Sequence, residues 1–271
     1  MQGRASQPGP HVTLHAAPVV RTFAMLTFTE FLPTSGTPQL LFVLLHGIGQ
    51  TGHHMAPLAQ RLAAEYPDAA LVSLNAPQAF DGLPGHDSAG FQWFSGQGLS
   101  EAARTERVAA ALPDLVLTVR ALSVRFGLGW ERTALAGFSQ GAIIALEAVQ
   151  AEARLAGRVL AFSGRHATAP EHAPVDTTVH FFHGMADTAV APALVVDSAE
   201  RLLALGGDVT ADVLPGIAHE LHPKLVDKAI EQLRTFIPKK VWREAMSEAP
   251  VLPRAASSRE LGQDPPPGDG D

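Results

Sequence analysis

A serine flanked by glycines is the residue of this chain best suited to act as a nucleophile. Ser139 is the centre of the segment G-F-S-Q-G at residues 137–141. The apolar residues 133–136 predict a buried strand before it, and the Ala-, Ile- and Leu-rich residues 142–149 predict a helix after it. In so tight a turn, glycine avoids a collision two positions either side of the serine, and the hydroxyl is held over the positive end of the helix. The pattern predicts a catalytic serine at Ser139; the alternative is a glycine-flanked surface turn.

A serine hydroxyl needs a neutral imidazole to take its proton and a carboxylate to fix the tautomer of that imidazole. Residues 178–183 predict an apolar strand that breaks at a glycine and delivers Asp187 into a loop. Residues 209–214 predict a later strand, which ends in a Pro-Gly turn just before His219. Both side chains therefore lie in loops after strands, where the sites of open α/β sheets form. The chain order Ser139, Asp187, His219 is that of a hydrolase triad, so we expect all three to be catalytic.

Each role has rival residues. His222 lies three residues after His219 but is expected inside the following helix and turned away from the turn, so His219 is favoured as the base. Asp176 precedes its strand, and Asp197 is expected on the outer face of a helix. Asp187 is therefore favoured as the acid.

The other histidines predict no metal site. His180 and His183 alternate with phenylalanines on a strand and are expected to be packed structural residues. His53 and His54 have no spaced acidic or histidine partner, so we expect them at a solvated helix start. The histidines expected in ordinary loop or surface positions are His11, His15, His86, His166 and His172. We expect neither a metal nor a cofactor.

A glycine-rich turn upstream is suited to binding an oxyanion. The apolar residues 40–45 predict a strand, and the sequence H-G-I-G follows at residues 46–49. A turn of this kind after an early strand supplies a backbone N–H to the oxyanion, and the residue after the nucleophile supplies the second. Ile48 and Gln140 are therefore the expected donors. A phosphate-binding loop is the competing idea, but no G-x-x-x-x-G-K-[ST] occurs.

These motifs together resemble the phospholipase/carboxylesterase family, which includes acyl-protein thioesterases, lysophospholipases and small bacterial carboxylesterases. The resemblance extends from about residue 25 to about residue 245 and is carried by residues 45–52 (L-H-G-I-G-Q-T-G), 137–141 (G-F-S-Q-G), 183–187 (H-G-M-A-D) and 216–219 (G-I-A-H). The chain is most similar to a branch of small cytoplasmic bacterial esterases. That similarity implies a cytoplasmic location.

The resemblance also bears on the substrate. Trp93 and Phe94 lie in a segment that resembles the one in which bacterial members place a Trp-Phe pair beside the acyl pocket, which implies that both bind substrate. Many eukaryotic-type members carry Asp where this chain has Gln50 and Ser95. The resemblance therefore does not carry over their lipid or protein substrates.

The activity implied is that of a serine carboxylesterase, which hydrolyses short to medium acyl esters through a Ser-His-Asp triad and an acyl-enzyme. Two alternatives stay open. One is an acyl thioesterase or lysophospholipase with the same triad, and the other is a non-catalytic hydrolase-fold binding protein.

The elements that position these residues alternate between strand and helix along the chain. This pattern predicts a single-domain α/β-hydrolase fold with a mostly parallel sheet and helices on both faces. The predicted strands are residues 40–45, 70–74, 133–136, 158–162, 178–183 and 209–214, and the clearest helices are residues 56–65, 100–125, 141–153, 192–205 and 223–235.

Around this domain the chain changes character. We predict a flexible extension at residues 1–24, an α/β-hydrolase domain at 25–245, where residues 25–31 alternate as an edge strand would, and a disordered, proline-rich tail at 246–271. The Gly- and Pro-rich residues 75–98 carry four aromatic side chains. We expect this loop to form a pocket wall or lid, unless the aromatics only staple it to the core.

Composition excludes several function classes. The 271 residues are 46% apolar, enough to bury a full core. The net charge is −7 and no basic run is present, so neither nucleic acid nor an anionic membrane surface is an expected partner. The absence of cysteine excludes a thiol nucleophile and disulfides. No apolar run approaches membrane-spanning length, so we expect no stable membrane insertion. The expected partner is a small-molecule ester, and the oligomeric state stays open, a homodimer included.

Overall fold

The computed structural model describes residues 19–23, 26–34, 36–82 and 89–248. Within these residues the chain forms an eight-stranded sheet and a two-stranded hairpin. In chain order the strands are β1 (Val19–Phe23), β2 (Leu26–Phe31), β3 (Leu40–Leu45), β4 (Ala69–Leu74), β5 (Gln78–Ala79), β6 (Phe91–Gln92), β7 (Thr133–Phe138), β8 (Arg158–Phe162), β9 (Thr178–Gly184) and β10 (Asp208–Leu214). The helices are α1 (Ala56–Glu65), α2 (Glu101–Phe126), α3 (Gln140–Ala151), α4 (Pro192–Ala204), α5 (Pro223–Thr235) and α6 (Lys239–Glu248), with short 3-10 helices at Gly52–Met55 and Trp130–Arg132.

The large sheet has the order β1-β2-β4-β3-β7-β8-β9-β10. β1 and β2 pair antiparallel, β2 joins β4 antiparallel, and every further pairing from β4 to β10 is parallel. The carboxyl ends of β3, β7, β9 and β10 therefore meet at one edge of the sheet. This arrangement confirms the predicted mostly parallel α/β fold.

Apolar side chains alternate between the two faces of the central strands. On β3, Leu41, Val43 and Leu45 join the core cluster shared with α2, α3 and α4. Phe42 and Leu44 join the cluster on the other face, which contains side chains of α1 and α5. Helices cover both faces, in agreement with a β3 that is apolar along its whole length.

The predicted strands and helices all occur, with ends that shift by one or two residues. The predicted edge strand, β2, is the second strand of the sheet, because β1 pairs along its outer side. Five residues of the predicted extension thus lie in a strand. The rest of that extension, and residues 249–271 of the predicted tail, lie outside the described residues, so the division into three segments stays a prediction.

Two further segments complete the described chain. The loop at residues 75–98 contains the hairpin of β5 and β6, while residues 83–88 lie outside the described part. From Lys239 onward the chain forms a separate unit, in which the structure describes α6, a helix that the sequence analysis did not predict. None of the described helices combines the length and apolar character that crossing a membrane requires.

Candidate active site

The turn between β7 and α3 holds Ser139 in an uncommon backbone conformation. Ser139 has φ 52° and ψ −115°, which a non-glycine residue adopts only where its surroundings enforce it. A β-carbon at Gly137 would stand 2.3 Å from the Gly141 carbonyl oxygen. A β-carbon at Gly141 would stand 2.2 Å from the Leu45 carbonyl oxygen. Both distances are too short for any side chain, so the turn requires glycine at both positions.

Three side chains from separate loops form one hydrogen-bonded chain. His219 Nε2 lies 2.9 Å from Ser139 Oγ, and His219 Nδ1 lies 2.7 Å from Asp187 Oδ2. With the Nδ1–H donating to the carboxylate, Nε2 is left as the acceptor of the serine hydroxyl proton. The Phe138 ring packs against the His219 ring, with centroids 5.1 Å apart. The structure therefore brings together the three residues that the sequence singles out as nucleophile, acid and base.

The Asp187 carboxylate is buried and held by several donors. Its Oδ1 accepts hydrogen bonds from the backbone amides of Ala189 and Val190, both at 2.9 Å. This leaves Oδ2 to face the imidazole. The loop after β9 is also fixed to the loop after β10, because the Ala186 amide donates to the Ile217 carbonyl at 2.9 Å. The acid and the base are thus held in register by backbone as well as by side chains.

The turn after β3 leaves one amide free in its centre. The Gly47 amide donates to the Gln50 side-chain oxygen at 3.0 Å, and the Gly49 amide donates to the Phe91 carbonyl at 2.8 Å. Among the described residues, the Ile48 amide between them has no hydrogen-bond partner. It is therefore available to a bound group.

A second free amide lies at the start of α3. Gln140 is the first residue of this helix, where backbone N–H groups have no acceptor within the helix. The positive end of the helix also favours negative charge at this point. Ile48 and Gln140 are the residues that the sequence predicts as oxyanion donors, and no acceptor holds either amide in the described part of the chain. Their role as donors stays a prediction.

The Gln140 side chain ties the start of α3 to the residues that follow β6. Its Oε1 accepts from the Trp93 amide and its Nε2 donates to the Phe94 carbonyl, each at 2.7 Å. The Trp93 indole N–H donates to the His46 carbonyl at 2.9 Å. Trp93 and Phe94 are only 1% and 3% exposed. Both side chains lie in the core, where they support the two donor turns, and direct substrate contact stays a prediction.

The imidazole of His46 stabilises the same turn. The Ala76 amide donates to its Nε2 at 3.0 Å, so Nδ1 carries the proton and donates to the Gly47 carbonyl at 2.7 Å. Burial lowers the pKa of His46 to about 4, against the opposing effect of the hydrogen bond to Gly47. His46 is therefore neutral at pH 7. The H-G-x-G motif predicts the turn, but no pattern in the sequence indicates a role for this ring or for the Gln140 side chain.

None of the hydrogen bonds described for Ser139 involves a rival residue. His222 is the N-cap of α5, where its Nδ1 accepts from the Lys224 amide at 3.1 Å. It therefore precedes the helix rather than lying inside it. Asp176 pairs with Arg154 at 3.1 Å, and Asp197 lies within α4.

One histidine differs from its predicted environment. His166 is expected in an ordinary loop or surface position. It does lie in a loop, but it is only 3% exposed, and its Nδ1 lies 3.3 Å from a carboxylate oxygen of Glu147. Burial agrees with prediction at other positions: His180 and His183 are buried, and His53, His54 and His172 are exposed. His11, His15 and His86 lie outside the described residues. Within the described ranges, no group of three or more His, Asp or Glu side chains could hold a metal ion.

Known proteins are similar to this chain over most of its length. A family model described as Phospholipase/Carboxylesterase matches residues 30–237. Esterase YpfH of Escherichia coli (strain K12) is 41% identical over 209 residues, which cover 77% of this chain and 88% of that protein.

Solved structures are similar in fold. The crystal structure of esterase PE8 is 29% identical with a TM-score of 0.70, covering 77% of this chain and 97% of that one. A carboxylesterase from Mesorhizobium loti is 18% identical with a TM-score of 0.68, covering 80% and 98% of the two chains. Acyl-protein thioesterase 2 of Zea mays is 23% identical with a TM-score of 0.61, covering 76% and 96%.

Proposed function

This chain belongs to the phospholipase/carboxylesterase family and is a carboxylic ester hydrolase, and we propose that Ser139, His219 and Asp187 carry out its reaction through an acyl-enzyme. The observation that carries the proposal is the hydrogen-bonded chain from Ser139 Oγ through the His219 imidazole to Asp187 Oδ2, with separations of 2.9 and 2.7 Å. Nucleophile, base and acid are thereby within hydrogen-bond reach of one another.

The first half of the reaction forms a covalent ester on the enzyme. Ser139 Oγ attacks the substrate carbonyl carbon while His219 Nε2 takes the hydroxyl proton. Asp187 Oδ2 stabilises the imidazolium that results. The tetrahedral oxyanion accepts hydrogen bonds from the Ile48 and Gln140 amides. Loss of one such donor typically costs about 2.7–4 kcal/mol of transition-state stabilisation. When the intermediate collapses, the alcohol leaves with the proton from His219.

The second half returns the enzyme to its starting state. His219 takes a proton from a water molecule, and the hydroxide attacks the acyl carbon. The same two amides hold the second oxyanion. Collapse releases the carboxylic acid and returns the proton to Ser139 Oγ, so that neither a metal nor a cofactor is consumed.

We further propose that the substrates are short to medium acyl esters. The main chain of Trp93 and Phe94 is hydrogen-bonded to the Gln140 side chain, and the Trp93 indole is hydrogen-bonded to the His46 carbonyl in the turn after β3. This supports their use as an inner wall of the acyl site, close to both oxyanion donors. The names of esterase YpfH and esterase PE8 agree with an ester rather than a thioester substrate.

A fluorophosphonate probe tests the nucleophile. Wild-type protein is expected to be labelled covalently, and Ser139→Ala to lose both labelling and hydrolysis of p-nitrophenyl butyrate. Ser163→Ala is a matched control, because Ser163 also follows a central strand at positive φ (49°) but is fully buried. Ser139→Ala with wild-type turnover would disprove the assignment.

A panel of substrates tests the acyl class. We expect kcat/KM on p-nitrophenyl esters to be highest for short to medium acyl chains. Two results would contradict the proposed substrate class while leaving the triad assignment in place. One is a higher kcat/KM on a palmitoyl lysophospholipid than on p-nitrophenyl butyrate. The other is a higher kcat/KM on a butyryl thioester than on the matched butyryl ester.

A further inference from the structure

A second histidine contacts the triad carboxylate from inside the core. His183 lies on β9, four residues before Asp187. Its Nε2 is 3.2 Å from Asp187 Oδ2, and both side chains are 0% exposed. The same nitrogen is hydrogen-bonded to the Val190 carbonyl oxygen at 2.9 Å. The sequence pattern predicts that His183 is packed in the core, but it does not predict this contact.

The surroundings of the ring determine where its proton lies. Both groups near Nε2 are oxygen acceptors, so Nε2 must carry the hydrogen. Burial lowers the pKa of His183, against opposing effects of the Val190 carbonyl and the Asp187 carboxylate. The ring is therefore neutral at pH 7 and its Nδ1 carries no proton. Nδ1 is buried and has no hydrogen-bond partner among the described residues.

The contacts of His183 converge on one short turn. The Val190 amide donates to Asp187 Oδ1, while the Val190 carbonyl accepts from His183. The same Nε2 lies 3.2 Å from Oδ2, the oxygen that receives the His219 Nδ1–H, while its hydrogen bond is made with the Val190 carbonyl. The ring is therefore hydrogen-bonded to the turn that supports the carboxylate and in close contact with the carboxylate itself.

We propose that His183 is a positioning residue of the active site, which fixes the Asp187 carboxylate and acts through it on His219. The inference rests on the proposed function, because it assumes that His219 is the base. His183 is fully buried and is not expected to contact substrate. Its loss therefore lowers kcat and leaves KM unchanged, because the carboxylate is free to turn away from the imidazole.

Two amide substitutions separate the role of the N–H group from that of the side-chain volume. A glutamine Nε2 occupies nearly the place of a histidine Nε2, whereas an asparagine Nδ2 occupies that of Nδ1. His183→Gln should therefore keep most of the wild-type kcat. His183→Asn should lower kcat by about 10- to 100-fold, since a misplacement of about 1 Å costs up to about 100-fold.

A matched control lies on the same strand. His180 is equally buried, but its Nδ1 is 2.8 Å from Thr210 Oγ1 and its ring is not in contact with the carboxylate. His180→Asn retains a group at the Nδ1 position and should keep wild-type kcat. If His183→Asn and His180→Asn lower kcat equally, β9 is sensitive to asparagine in general, and the inference is contradicted.

The outcomes distinguish this inference from the proposed function. Suppose that Ser139→Ala is inactive, as the proposed function requires. If His183→Asn then keeps wild-type kcat, or if His183→Gln is as impaired as His183→Asn, the proposed role of His183 is wrong and the triad assignment stands. If Ser139→Ala is active, the proposed function fails first.

Nitrogen-15 NMR of the wild-type histidines provides a test that does not depend on the folding of a variant. We expect a protonated Nε2 and a bare Nδ1 on His183, together with a far-downfield proton signal for His219 Nδ1–H. An Nδ1-protonated His183 would overturn the inference.

Discussion

The α-carbon of Gly141 lies directly against the carbonyl oxygen of Leu45. A β-carbon at position 141 would stand 2.2 Å from that oxygen. Leu45 is the last residue of β3, just before the turn that contains Ile48, and Gly141 lies in the first turn of α3, just after Gln140. This close approach sets the distance between the two amides proposed to bind the oxyanion.

Gly141→Ala should therefore impair both stability and catalysis. The added methyl group meets backbone atoms of Leu45 and His46, which cannot rotate away as a side chain would. Overpacking of this kind costs about 1–3 kcal/mol or more, and each kcal/mol lowers Tm by about 2–4 °C in a chain of this size. We expect a lower Tm by thermal unfolding and a lower kcat on p-nitrophenyl butyrate.

Gly127→Ala is the control for this substitution. Gly127 ends α2 at φ 66° with open space around its α-carbon. The change should lower Tm through backbone strain alone and leave kcat unchanged. A Gly141→Ala protein with wild-type Tm and kcat would show that the close approach does not matter.

Asp187→Asn should lower kcat by about 10⁴-fold through the wrong tautomer of His219. The Ala189 and Val190 amides require an acceptor at Oδ1, so the asparagine NH₂ group must take the place of Oδ2. It then donates to His219 Nδ1, and the imidazole proton moves to Nε2, where it can no longer accept the serine proton. His219→Ala should be similarly inactive in steady-state assays.

His222→Ala separates the two candidate bases. Loss of this N-cap should cost about 0.5–2 kcal/mol of stability, visible in denaturant unfolding, with kcat unchanged. An inactive His222 variant beside an active His219 variant would reverse the assignment of the base.

Gln140→Met should lower kcat although it retains the backbone amide. The substitution preserves side-chain length but leaves the Trp93 amide and the Phe94 carbonyl without their partner. Each buried group left unpaired costs about 1–3 kcal/mol, and the donor turns lose their connection. Gln150→Met, on the same helix, is the control, because the Gln150 side-chain nitrogen is buried without a hydrogen-bond partner among the described residues. Equal losses of kcat in the two variants would argue against the connection.

The free energy of unfolding should decrease as pH falls below about 6.5. Burial lowers the pKa of His46 to about 4 and that of His180 to about 3, the latter with help from the Arg158 charge. Between the ordinary histidine pKa and these values, the unfolded chain binds protons that the native protein does not, so protonation favours unfolding. Each histidine contributes up to about 1.4 kcal/mol per pH unit.

Urea unfolding at several pH values between about 6.5 and about 4.5 measures this slope, because this interval lies between the ordinary histidine pKa of 6.5 and the lowered values. His180→Phe should make the slope shallower, because His180 then no longer titrates while His46 and His183, whose pKa values burial also lowers, still do. An identical slope in the variant would mean that His180 is not held neutral in the native state.

The convergence of the three residues proposed as a triad could be predicted from the sequence, because each lies in the turn or loop that follows a strand. Ser139, Asp187 and His219 are marked by local turns, and a parallel sheet brings such turns to the same edge. The Gln140 contacts with Trp93 and Phe94 could not be predicted, since they join side chain to backbone across more than forty intervening residues.

Two further features, the contact of His183 with Asp187 and the pairing of β1 with β2, could not be predicted from the local sequence pattern. The histidine pattern on β9 predicts burial, but it does not distinguish packing from the contact of His183 with Asp187. Likewise, the pairing of β1 with β2 depends on partners elsewhere in the sheet, because residues 1–24 show no sustained period.

Ser139 and His219 follow strands that differ in burial and in the number of neighbouring strands. β7 lies between β3 and β8 and all six of its residues are buried, whereas β10 pairs only with β9 at the end of the described sheet and buries one residue of seven. Local opening of an edge strand costs less free energy than unfolding of the whole domain. We therefore expect β10, the strand before His219, to separate from the sheet before β7 does on warming. Turnover should then be lost at a temperature where most of the sheet is still folded.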